Sequence, residues 1–279
     1  MLLAKATLLL LCTLALGALL RRASAAHRAA LYCAALAGLL LLPFLSVVAP
    51  PMIPVWLPVQ PLSSLPLARV PSRLPAVLPA PTFSAPPQGV SPPAPSLATV
   101  TPFPWERVVV LLLALGSVLS LLRVGLGLLG LRRFVRESTR AADPLQAEVF
   151  TLATSLHLWR LPDVRIASDT LGLCAPLTFG WWRGIILLPE SALAEPQALR
   201  VALLHELVHL RRRDWLVLLL ARLTAALWWF HPLVHVLIRQ LRFEIEAACD
   251  DRVLRHGVSA PDYAGYLVSF SRHASGERL

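Results

Sequence analysis

The side chains best suited to chemistry are two histidines and a glutamate within one apolar stretch. His205, Glu206 and His209 form the pattern H-E-x-x-H. Residues four positions apart share one face of an α-helix, so both imidazoles can reach the same metal ion. Glu206 is rotated by about 100° from His205, where its carboxylate can act on a water molecule as a general base without binding the metal. This pattern predicts a catalytic zinc site.

A catalytic zinc ion needs a third protein ligand and an open position for water. In the downstream sequence, Glu246 and Asp250 lie four residues apart on one helical face. One of them can bind the metal while the other orients a ligating imidazole. Chemistry alone does not choose Glu244 over Glu246. The candidates for the third ligand are two histidines and four acidic residues: His231, His235, Glu244, Glu246, Asp250 and Asp251.

Other polar residues near these ligands have less defined roles. Asp214 directly follows three arginines, which favours salt bridges over a part in catalysis. The group that would stabilise a developing oxyanion is not fixed by the sequence, and four side chains are candidates: His231, Arg242, Tyr263 and Tyr266.

A folded domain must position these residues, and the composition becomes that of such a domain near Glu137. Hydrophobic periodicity predicts an amphipathic helix over 145–157 and a long helix over Gln197–Arg213. Residues Thr178 to Leu188 are predicted to supply an edge strand that pairs with an extended substrate. The other predicted elements are two short strands and two helices: Val164–Ala167, Gly184–Leu188, 241–255 and 262–271.

The composition of the chain is that of a membrane protein. Of its 279 residues, 56% are hydrophobic and 15% are charged, and the mean hydropathy is +0.65. Soluble domains usually carry about 25% charged residues, so an ordinary soluble globular protein is excluded. Three apolar runs, 2–20, 29–48 and 108–131, are each long enough to cross a bilayer core of about 30 Å. We therefore predict a two-helix transmembrane hairpin over 1–49 and a third transmembrane helix over 107–131.

Arginines placed at the ends of these runs predict the orientation of the chain. Arg21, Arg22 and Arg28 lie between the first two runs, and four more arginines follow the third run within ten residues. The positive-inside rule places both groups in the cytoplasm, with the N-terminus outside. The sequence Ala23-Ser24-Ala25 is compatible with a cleaved signal peptide, but the preceding arginines favour a retained anchor. The expected location is the inner (plasma) membrane, with several passes.

The segment between the second and third runs has a different composition. Residues 50–104 contain 17 of the 25 prolines. Proline removes a backbone donor and fixes φ, which excludes both helix and central strand. We predict that residues 50–106 form an extended external loop that acts as a spacer between spans.

A second constraint concerns the apolar stretch 215–240 between the histidines and Glu246. If it crossed the membrane once, His205 and Glu246 would lie on opposite sides and could not share a metal. Pro232 is a favourable helix start, and residues 216–230 reach only about 22 Å, which is short for a full span. The stretch is therefore predicted to form a helical hairpin within a domain that covers 132–279, partly embedded in the membrane or resting on it.

The sequence resembles the membrane metallopeptidases of the BlaR/MecR antirepressor type. In that family an H-E-x-x-H helix is followed by a Glu-x-x-Cys-Asp motif, matched here by Glu246, Cys249 and Asp250. The resemblance implies that zinc is bound by His205, His209 and Glu246, with Glu206 as the base and Asp250 in contact with a ligand. Gluzincins of the HtpX and prenyl-protein protease type share the Glu-x-x-x-Asp spacing, but the run Cys249-Asp250-Asp251 favours the BlaR/MecR type.

The resemblance also implies a fold and a function. The expected fold is mainly α and integral to the membrane, with a cytoplasmic gluzincin-like α+β domain that carries a small edge sheet. The expected function is a zinc endopeptidase that transduces a signal by cleaving a cytoplasmic transcriptional repressor or itself, in contact with lipid and without direct binding of nucleic acid. The alternatives are an HtpX-like quality-control or processing protease and a non-catalytic membrane transducer. Lys5 is the only lysine, so no Ser-x-x-Lys acylation site is present, and β-lactam sensing is not carried over.

Overall fold

The structure, a computed structural model, describes residues 2–48 and 104–274. The predicted external loop over 50–106 lies almost entirely outside these residues. Three described helices are long and apolar enough to cross a membrane: α1 (Leu2–Leu19, extended by a 3-10 turn to Arg22), α2 (Ala25–Val48) and α3 (Trp105–Glu137). Arg28 therefore lies in the first turn of α2 rather than in a connecting loop. The third helix continues well beyond residue 131 because the arginines that follow are good helix formers.

The rest of the described chain contains a small sheet, five α-helices and two short 3-10 helices. The two-residue strand β1 and the edge strand β3 are shorter than most strands. The second half of the apolar stretch and the predicted helix at 241–255 form one continuous helix, α7, because no glycine or proline interrupts the segment after Pro232. The bounds are β1 (Thr139–Arg140), α4 (Asp143–Ser155), β2 (Asp163–Ala167), β3 (Leu177–Phe179), β4 (Ile185–Pro189), α5 (Pro196–Arg212), α6 (Asp214–Leu227), α7 (Pro232–Arg255) and α8 (Ala260–Ala274).

The strands form one four-stranded sheet in the order β1-β2-β4-β3. β2 and β4 are parallel, whereas β1 and β3 pair antiparallel with their neighbours. The segment Gly184–Leu188, predicted as part of an edge strand, therefore lies inside the sheet, where Ile186, Leu187 and Leu188 are fully buried. Only β3 offers a free edge on that side, and α5 packs beside it.

The α6–α7 hairpin packs among the three candidate spans. Trp228 donates from Nε1 to the carbonyl of Leu39 in α2 at 3.2 Å. Leu39 lies about 16 Å along the helix axis from Arg28. Trp229 donates to the carbonyl of Leu113 in α3 at 3.3 Å. The hairpin thus reaches more than halfway along the neighbouring spans and then turns back, beginning α7 at Pro232.

One glycine makes the contact between the hairpin and α3 possible. A Cβ atom on Gly116 would lie 2.3 Å from the ring of Trp229. Real Cβ atoms do not approach other atoms so closely, so any larger residue would push the ring or the helix aside. Gly116 therefore lets α3 lie directly against the turn of the hairpin.

Candidate metal centre

The histidine motif lies on α5, whose two sides have different surroundings. One side packs into the core of the domain through Leu203, Leu207 and Val208, which are fully buried. His205 and His209 are half-buried on the other side. Their Nε2 atoms lie 3.0 Å apart. The i, i+4 spacing therefore brings two imidazole nitrogens to one point, as helical geometry requires.

The helix α7 brings a carboxylate to the same point. Glu246 Oε2 lies 3.5 Å from His205 Nε2 and 3.6 Å from His209 Nε2. Zinc bonds of 2.0–2.2 Å in a tetrahedron require ligand atoms that are roughly 3.3–3.5 Å apart. The spacings of 3.5 and 3.6 Å between Glu246 and the histidines are close to that requirement, and the 3.0 Å between the two Nε2 atoms is a few tenths of an ångström shorter. The donor set of two imidazoles and one carboxylate therefore fits a divalent metal ion.

The two glutamates of α7 point to different partners. Glu244 is buried and receives two hydrogen bonds from Arg28, from Nε to Oε1 at 2.7 Å and from Nη2 to Oε2 at 2.8 Å. Arg28 also donates from Nη1 to the carbonyls of Arg21 and Ala23. Of these two glutamates, Glu244 is paired with Arg28, and Glu246 is the one whose carboxylate lies beside the Nε2 atoms of both histidines.

The ring of His205 is oriented by two residues from different helices. Its Nδ1 lies 3.0 Å from the hydroxyl of Tyr263 in α8, and Tyr263 in turn donates to Asp250 Oδ1 at 2.6 Å. Asp250 itself lies 3.5 Å from Nδ1. A ring whose Nδ1 donates its proton to this pair keeps Nε2 as a lone-pair donor for metal. Tyr263, an oxyanion candidate in the sequence, thus lies behind the ring of His205, on its Nδ1 side.

The ring of His209 is oriented by Asp214, which sequence reasoning assigned to salt bridges. Asp214 does pair with Arg212 at 3.0 Å, but its Oδ2 also lies 2.9 Å from His209 Nδ1. The backbone makes this possible at Arg213, where φ is 58°. This left-handed residue ends α5 and starts α6 at once. The sequence shows an acidic residue just after the end of the helix, but local propensity does not predict that its side chain turns back to contact His209.

The acidic side chains near His209 and Glu246 favour a positive charge between α5 and α7. Burial lowers the pKa of His209, but hydrogen bonds to Asp214, Cys249 and Glu246 outweigh it and raise this pKa to about 12. Hydrogen bonds to His205 and His209 hold the pKa of Glu246 well below its usual range. Glu246 is therefore ionised at neutral pH, which is the state that binds metal.

A second group of possible ligands shares His209 but is less suited to metal. It consists of His209, Asp214 and Cys249. Burial raises the pKa of the Cys249 thiol to about 11, so Cys249 stays protonated and donates to Asp214 at 3.4 Å. Arg212 already occupies both oxygens of Asp214. These residues support His209 from behind, and the buried position of Asp214 and Cys249 leaves no open side for a substrate.

Glu206 and three of the candidates for the third ligand have different surroundings. Glu206 is half-buried, and its carboxylate makes no hydrogen bond or ion pair with the residues between 104 and 274 or between 2 and 48. His231 lies among the spans, where its Nε2 is 3.1 Å from the hydroxyl of Thr7. His235 contacts the carbonyl of Trp229, and Asp251 pairs with Arg255. None of these last three residues reaches the histidine pair.

Comparison with known proteins gives the following similarities. The family described as BlaR1 peptidase M56 matches residues 4–277. A stretch of 82 residues is 37% identical to the regulatory protein BlaR1 of Bacillus licheniformis, and one of 97 residues is 31% identical to that of Staphylococcus aureus. These stretches cover 29% and 34% of this chain but only 14% and 16% of the relatives.

Proposed function

The chain belongs to the BlaR1 peptidase M56 family of membrane metallopeptidases, and from this premise we propose that it is a zinc-dependent endopeptidase that transduces a signal by cleaving a cytoplasmic repressor or itself. The observation that carries the proposal is the meeting of His205, His209 and Glu246 at spacings suited to one metal ion. The two BlaR1 relatives are regulatory proteins, which supports a signalling rather than a housekeeping protease.

The donor set supports zinc as the metal. Zinc is commonly bound by imidazole nitrogen and carboxylate oxygen, and catalytic sites use three protein ligands with one position open. His205 and His209 are half-buried, and Glu246 is exposed, so the three ligands face a surface rather than a closed core. When bound, a zinc ion supplies Lewis acidity, which lowers the pKa of water and polarises a carbonyl group.

Side chains of the protein transfer the proton and orient the two histidine rings. Glu206, one position from His205 and without a partner in the described residues, takes a proton from the attacking water and passes it to the leaving amine. Tyr263 and Asp250 hold the ring of His205, and Asp214 holds the ring of His209. These contacts fix which nitrogen of each ring faces the substrate side.

The sheet supports an extended peptide as substrate. Among the described residues β3 pairs with β4 on one side only, so within that part of the chain the other side of Leu177–Phe179 offers unpaired backbone groups. An extended peptide can add to such an edge as a further strand. α5, which bears the two histidines, packs next to β3. A peptide on this edge would run past the metal ligands.

The metal assignment can be tested by metal analysis of the purified full chain in detergent. We expect one zinc ion per chain, and Glu246→Ala is expected to lose most of it because one of three ligands is removed. Asp251→Ala is the matched control, since Asp251 lies on the same helix but pairs with Arg255. Wild-type zinc content in Glu246→Ala would show that another residue completes the site.

The proposed topology places the peptidase domain over 132–279 in the cytoplasm and the loop over 50–106 outside the inner membrane. Reporters fused near Gln88 and near Glu148 are expected to read as external and cytoplasmic, because the arginine-rich ends of the spans stay inside. Activity of alkaline phosphatase and fluorescence of a cytoplasmic reporter measure the two positions. A cytoplasmic signal at Gln88 would reverse the orientation and with it the proposed substrate compartment.

A further inference from the structure

Three exposed tryptophans lie on two neighbouring loops of the domain. Trp159 is in the α4–β2 loop and is 101% exposed, and Trp181 and Trp182 in the β3–β4 turn are 73% and 70% exposed. Arg160 places its guanidinium 5.0 Å from the centre of the Trp182 ring, which joins the two loops. We call the surface formed by Trp159, Arg160, Trp181 and Trp182 the tryptophan patch. Large aromatic side chains left in water at this density mark an interaction surface.

The charge beside the tryptophan patch is positive. The patch borders a groove of about 620 Å³, and none of the residues that line it is acidic. Three of its lining residues are arginines: Arg160, Arg211 and Arg213. A partner that covers this surface must therefore accept aromatic rings and carry negative charge.

The position of the tryptophan patch indicates what that partner is. Gly180, at the start of the turn, also lines a groove formed with the last turns of α3, including Arg132 and Arg136. Trp215, in the first turn of α6, lines the same groove. The turn thus lies where α3 changes from apolar to basic and where α6 begins its path among the spans. In a helix that crosses a bilayer, such a change from apolar to basic residues marks the membrane surface.

We propose that the tryptophan patch binds the head-group layer of the membrane through anionic phospholipids. Tryptophan is enriched at membrane interfaces because its ring is apolar and its N–H is polar. Arginines near an anionic surface are attracted to it within about a Debye length. The β3–β4 turn therefore rests on the membrane, and the sheet is held at a fixed height above it. The proposal does not depend on the metal or on catalysis.

The test uses the full chain in nanodiscs of phosphatidylcholine, with or without phosphatidylglycerol, in which some lipids carry a spin label on the head group. The label quenches tryptophan fluorescence at short range. Trp181→Phe combined with Trp182→Phe is expected to lose much of the lipid-quenched signal. Trp228→Phe is the matched control, because Trp228 is buried within the bundle and should not change that signal.

The arginine contribution is tested in the same experiment. Quenching of the wild-type chain is expected to be stronger with phosphatidylglycerol, and Arg160→Gln combined with Arg211→Gln is expected to remove that difference. Arg255→Gln, on another surface, should keep it. Equal quenching in the two lipids would overturn the anionic part of the proposal. Quenching of Trp181 and Trp182 by soluble acrylamide but not by lipid would overturn it entirely and would indicate a protein partner.

Discussion

Replacing Glu206 by glutamine is expected to abolish proteolysis while the chain keeps its metal and its place in the membrane. The change preserves size and removes only the base, and loss of a general base typically slows a reaction 10²–10⁴-fold. The carboxylate has no partner among the described residues, so the structural cost should be small. Immunoblots of the chain and of a co-expressed repressor measure cleavage, and metal analysis of the purified chain measures zinc.

Two further variants serve as controls for this result. His205→Ala removes a proposed ligand and is expected to lose both zinc and cleavage. Glu148→Gln makes the same chemical change on α4, where Glu148 pairs with Arg200 at the surface, and should alter neither. A Glu206→Gln chain that still transmits its signal in cells at the wild-type level would show that proteolysis is not the function. The non-catalytic transducer would then replace the endopeptidase.

Removing Arg28 is expected to destabilise the chain more than the loss of any exposed arginine. Arg28→Ala leaves the buried Glu244 carboxylate without its half-buried partner, and the loss of hydrogen bonds to a charged group typically costs about 1.5–3 kcal/mol. The pair joins the first turn of α2 to α7 two residues before Glu246. Thermal unfolding in detergent should therefore show a markedly lower midpoint for Arg28→Ala and a smaller retained zinc fraction.

The controls for Arg28 separate charge from packing. Arg22→Ala removes an exposed arginine from the 3-10 turn just before α2 and should leave the midpoint nearly unchanged. Arg28→Leu combined with Glu244→Leu removes both charges and should recover much of the lost stability, because an apolar pair needs no compensation. Equal midpoints for Arg28→Ala and Arg22→Ala would mean that the ion pair contributes little.

Much of the candidate site can be predicted from helical periodicity in the sequence. The i, i+4 spacing of His205 and His209 requires only that the segment be a helix, and a proline at the start of a helix located the beginning of α7. A single condition, that Glu246 lie on the same side of the membrane as the histidines, predicts that residues 215–240 turn back. Local rules are sufficient for such features because they join residues within one helix or constrain one connection.

The supporting contacts could not be derived in this way. Tyr263 reaches His205 from α8, and Arg28 reaches Glu244 from a helix more than two hundred residues earlier. Such pairs depend on how helices pack, and no propensity or spacing encodes that. Asp214 is close to His209 in sequence, but the contact depends on a left-handed backbone at Arg213, a conformation that few residues other than glycine adopt.

The packing of the α6–α7 hairpin among the spans has a consequence for biosynthesis. The hairpin follows α1, α2 and α3 along the chain, and α6 has 14 residues, too few to cross a bilayer unaided. Its place therefore exists only after the earlier helices have been inserted, and α7 with Glu246 arrives last of the three proposed ligands. We therefore expect that a nascent chain that misses the membrane does not assemble the proposed site. On the proposed function, membrane insertion would then serve as the step of maturation that keeps an unplaced protease inactive.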